Sequence, residues 1–155
     1  MTKAPFLAAA ITLAATLPGF AQSELDRLAA ATEAAGANME TFLVSQAPSL
    51  ADVMPDWTWS PEMRDAAACT LDAIRDEGGD AAVADYITQM EAFAETEITS
   101  LEQVAQATPV PISADFAAAT GQACGTAELA MQQMQDSGLM AAMMDPAVMM
   151  QLMGQ

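Results

Sequence analysis

Residues 60–98 read SPEMRDAAACTLDAIRDEGGDAAVADYITQMEAFAETEI, and this stretch decides the fold class. Ser60 carries a side-chain oxygen suited to capping a helix. Pro61 then takes the first helical position, where a missing N–H costs nothing, and Glu62 suits the positive end of the helix. From there Met63, Ala66, Ala67, Thr70, Leu71 and Ile74 recur at spacings of three and four, with Cys69 near the edge of the stripe. The helix is expected to reach Glu77 and to end at Gly78-Gly79. Asp80 then caps a second helix, in which Val83, Tyr86, Ile87, Met90, Phe93, Ala94 and Ile98 repeat the 3.6-residue period with acids opposite.

The same grammar extends in both directions. Upstream, Ser23-Glu24-Leu25-Asp26 starts a helix expected to end near Gly36, with Leu25 and Leu28 inward. A shorter helix spans Met39 to Gln46, carries Phe42 and Leu43, and is ended by Pro48; Ser49 to Met54 adds one turn. The connector Pro55-Asp56-Trp57-Thr58-Trp59 follows. Its two tryptophans either make an exposed aromatic platform or, as is commoner, fold back over the core with their N–H groups bonded. Downstream, a short helix covers Ser100 to Ala107, and Thr108-Pro109-Val110-Pro111 is an extended linker dictated by proline. Ser113 caps a long helix to Gln135, softly interrupted at Gly121 and Gly125. Ser137-Gly138 marks a break, and Asp145-Pro146 starts a last turn of helix. No run alternates over the length of a strand and no segment repeats. The expected fold is all-α, a small helical domain of about five or six helices.

The N-terminal stretch MTKAPFLAAAITLAATLPGFAQ follows the order of a cleavable signal peptide: one charge at Lys3, an apolar run from Phe6 to Leu17, then Pro18 and Gly19 before Ala21. A spanning helix needs roughly 20 apolar residues, more than this run supplies. Neither an arginine pair nor a lipid-accepting cysteine flanks the run, which points to the general secretory route and a periplasmic or secreted bacterial protein. Three segments are expected: residues 1–21 as the signal, 22–137 as an acidic helical domain, and 138–155 as a methionine-rich helical tail.

Beyond residue 21 only Arg27, Arg64 and Arg75 stand against 21 acidic residues. Such a field repels nucleic acid and anionic membranes, and it favours cations or a basic partner. After signal removal no integral membrane segment is expected. Two cysteines in an oxidising compartment pair first with each other, so Cys69 and Cys124 are expected to bridge two helices, with Ala123 and Gly125 small enough to allow close approach.

Chemistry has little to work with. The chain has no histidine, so Ser-His and Cys-His nucleophiles are excluded, and no two carboxylates stand out as an acid–base pair. The expectation is a protein that is not an enzyme and carries no cofactor. The unusual feature is methionine: 13 in all, with Met131, Met134, Met140, Met143, Met144, Met149, Met150 and Met153 in the last quarter. Methionine at helical spacing most often fills an irregular core or makes an adaptable apolar face. The leading expectation is a noncatalytic binding module that meets a protein partner through Met140, Met143, Met144, Met149, Met150 and Met153. The alternative is a periplasmic copper protein in which the thioethers of Met143, Met144, Met149 and Met150 hold Cu(I).

Overall fold

The computed structural model describes residues 18–152, with side-chain surroundings from residue 24 onward. The proposed signal peptide, apart from the backbone of its last four residues, lies outside the described residues, as does Met153. Every regular element described is helical: seven α-helices and one 3-10 helix, more than the five or six expected. They are α1 (Pro18–Gln46), the 3-10 helix (Pro48–Val53), α2 (Pro61–Ala94), α3 (Leu101–Ala107), α4 (Ala114–Ala123), α5 (Thr126–Asp136), α6 (Leu139–Met143) and α7 (Pro146–Leu152).

Three of the four serines expected to start helices do so. Ser60 accepts from the backbone N of Met63 at 3.2 Å, Ser100 from Gln103 at 3.1 Å and Ser113 from Phe116 at 3.2 Å, each satisfying an amide that has no partner within its helix. Asp145 Oδ1 does the same for Ala147 at 2.7 Å. Within α2 the helical geometry fails at Gly79, whose φ of 76° lies in the left-handed region. The chain folds back there. A straight helix would hold residues 64 and 91 about 40 Å apart, yet Arg64 pairs with Asp26 and Glu91 with Arg27, neighbours on α1.

Two sequence expectations are corrected. The helices foreseen on either side of Gly36 are one continuous helix, already formed at Pro18, the first described residue, upstream of Ser23. Gly36 is buried beneath Trp57: a Cβ built on it would lie 2.5 Å from the indole Cδ2. It is glycine because a ring rests on it, not because the helix stops. Conversely, the long helix foreseen from Ser113 to Gln135 is two, α4 and α5, parted at Cys124 and Gly125, with Gly125 at φ 79°.

Helix α1 is the spine between two apolar clusters. Its N-terminal half contributes Leu28 and Ala31 to a cluster with Ala67, Leu71 and Ile74 from the first arm of α2 and Val83, Ile87 and Met90 from the second. Its C-terminal half contributes Phe42 and Leu43, which join Ala47, Leu50, Ile98, Leu139 and Val148 in a second cluster. Three interhelical ion pairs, Arg27–Glu91 at 2.7 Å, Arg64–Asp26 at 2.8 Å and Arg75–Glu24 at 2.7 Å, hold α2 to α1 around the first cluster. No described helix is long and apolar enough to cross a membrane.

Candidate functional site

The C-terminal methionines divide by helix face. On α6, Leu139, Ala142 and Met143 stand at i, i+3 and i+4 and pack into the second cluster, as do Val148 and Leu152 of α7. Met134 of α5 joins them. The positions left over point to solvent: Met140 is 39% exposed, Met149 47%, Met150 54% and Met144 77%. Met140 and Met144 share one face by their i, i+4 spacing. Of the six methionines expected to form one surface, four are therefore exposed, Met143 turns inward, and Met153 lies outside the described residues. Met143, which is also one of the four thioethers of the copper reading, is the one that packs against the second cluster. Its inward turn was legible in the stripe it shares with Leu139, a signal hidden by the density of methionine around it.

Cys69 and Cys124 form a disulfide with Cα atoms 5.7 Å apart, closing a loop of 55 residues. A loop of that length restricts the unfolded chain by roughly 4 kcal/mol in the chain-entropy account. Cys69 sits within the first arm of α2 as expected. Cys124 does not lie mid-helix but is the C-terminal cap of α4, its N–H bonded to the Thr120 carbonyl. The bridge thus anchors the α4–α5 corner to the α1–α2 pair.

A second feature was not visible in the sequence. The connector after the 3-10 helix and the start of α2 face α5 across an open groove of about 600 Å³. Its apolar lining comes from Met54, Trp59, Met63 and Leu129, and its carboxylates from Asp56, Glu62 and Asp136. No lysine or arginine lines it. Gln133 of α5 donates its side-chain amide to the Asp56 carbonyl and ties the two walls together. The tryptophans behave as residues folded back on the core: Trp57 donates Nε1–H to Glu40 at 3.2 Å, and Trp59 packs on the first cluster while its backbone N–H meets Glu33 at 3.0 Å. Trp59 nonetheless keeps one side on the groove.

Two of the groove carboxylates are held in their charged form. The backbone N–H of Thr58 bonds Asp56 at 2.9 Å and holds its carboxyl below the ordinary range. The amide of Glu62 itself and the hydroxyl of Ser60 at the start of α2 do the same for Glu62. Among the described residues no cluster of three or more histidine, cysteine or carboxylate side chains is arranged to hold a metal ion.

Comparisons with protein-family models, with curated proteins and with solved structures returned no match to this chain.

Proposed function

We propose that the protein is an exported, noncatalytic helical binding protein that docks a protein partner on the methionine face of its C-terminal helices. The observation that carries this reading is the sorting of apolar residues in α6 and α7: Leu139 and Val148 are buried, while Met140, Met144, Met149 and Met150 project outward. An exposed group of flexible, polarisable side chains on short, anchored helices suits adaptable apolar recognition. The lack of histidine supports a binding role over catalysis.

The test places a photo-reactive amino acid at position 144 or 150, and at Gln89 on α2 as a control, in the exporting cell. Adducts at the two tail positions alone are expected. Replacing Met140, Met149 and Met150 by Gln in the position-144 protein is expected to abolish them, and replacement by Leu to preserve them, because Leu keeps the apolar face and removes only sulfur. Adducts lost equally with Leu, together with Cu(I) binding that the Leu variant lacks, would decide for thioether coordination instead.

A further inference from the structure

The groove between the connector and α5 is a site distinct from the methionine face, and its lining specifies a ligand. We propose that it binds a small organic cation, an ammonium or guanidinium group carried on an apolar body. Three observations converge. The rim bears Asp56, Glu62 and Asp136 with no cation among the lining residues. The arginines at 27, 64 and 75 are each in carboxylate pairs between or within α1 and α2, so none of them neutralises the groove. The floor offers the Trp59 indole, whose face attracts cations, and the thioethers of Met54 and Met63, which mould to an apolar body.

Size and preorganisation agree with a small ligand. About 600 Å³ falls within the range of small-molecule sites. The Gln133–Asp56 link and the core packing of Trp59 set the walls before any ligand arrives. The chain's formal charge of −17 raises the concentration of any cation near it, while the apolar floor selects an organic cation over a hydrated inorganic one.

The probe is benzyltrimethylammonium, titrated into the full mature chain labelled with carbon-13 at its methionine methyls. Saturable shifts at Met54 and Met63, with Met144 and Met150 unmoved, are expected; the last two report the proposed partner face, so the two readings fail independently. Neopentylbenzene, the neutral isostere, is expected to bind at least about tenfold more weakly, and so is benzyltrimethylammonium to the Asp56→Asn, Glu62→Gln and Asp136→Asn single variants, each checked for an unchanged circular-dichroism spectrum at the temperature of the titration. Equal binding of the neutral isostere, uniform shifts over all exposed methionines, or no shift at about 20 mM probe would overturn the proposal. So would a lysine-rich peptide that saturates the Met54 and Met63 methyls at least about tenfold more tightly, because the groove would then serve a protein segment.

Discussion

Gly36 and Gly121 are both helical glycines, and their surroundings demand opposite outcomes on substitution. Alanine normally stabilises a helix interior relative to glycine by about 0.5–1 kcal/mol. At Gly121 the added Cβ meets Thr126 and Ala127 at 3.5 and 3.7 Å, ordinary contacts, so Gly121→Ala is expected to gain that amount. At Gly36 it would press on the Trp57 ring at 2.5–2.8 Å, near the rigid base of the side chain. Gly36→Ala is therefore expected to lose about 1–3 kcal/mol despite its better helix propensity. Urea unfolding followed by circular dichroism reads both, and a stabilised Gly36→Ala would refute the account of Trp57. The residue scale also shows where sequence reading stops. Glycine after a helical run signals termination when nothing else is known, and only the indole of a residue 21 positions away gives Gly36 a different meaning.

At the scale of elements, α6 and α7 are short helices that gain their order from what they cover. Leu139 and Val148 are 3% and 7% exposed against Phe42, Leu43 and Leu50. Leu139→Ala is expected to cost about 2–5 kcal/mol, whereas Met144→Gln, at the most exposed of the large apolar side chains, is expected to change stability by less than about 0.5 kcal/mol. Removing residues 138–155 would uncover the whole face of the second cluster and is expected to cost more than the point substitution. Thermal melts of the three proteins provide the measurement; a truncated chain as stable as the intact one would show the tail to be an appendage.

Across the whole molecule the dominant long-range effect is acidity. All three described arginines are used between α1 and α2, and most of the 21 acids face solvent with no ion-pair partner. Each exposed pair contributes about 0.2–1 kcal/mol, so screening the pairs loses less than screening the repulsion among the remaining acids gains. Raising sodium chloride from about 0.01 to 0.5 M is accordingly expected to increase the melting temperature by about 3–5 °C. Acid has its own signature. The Arg27 guanidinium, bonded to Glu91, holds that carboxyl below its ordinary value, as backbone N–H groups hold Asp56 and Glu62. Because these folded-state values are depressed, their contributions are complete above the ordinary carboxylate pKa of about 4 and vanish as the pH falls through the lower folded values. Carbon-13 titration of the Glu91 carboxyl, expected below that of Glu91 in an Arg27→Gln variant, checks the sign.

The sequence by itself determined the helical class, the helix starts at Ser60, Ser100 and Ser113, the break at Gly78-Gly79 and the partnership of Cys69 with Cys124. Those features rest on interactions within about four residues, on backbone conformations open chiefly to glycine, or on a count of two. Only the tertiary structure decided that Gly36 lies inside a helix, that Met143 packs inward while Met144 is surface, and that Asp56, Trp59 and Leu129 line one groove. Burial and concavity depend on partners 20 to 100 residues distant. A chain so rich in alanine and methionine marks its inward faces weakly, so the choice of face waited on what each helix meets.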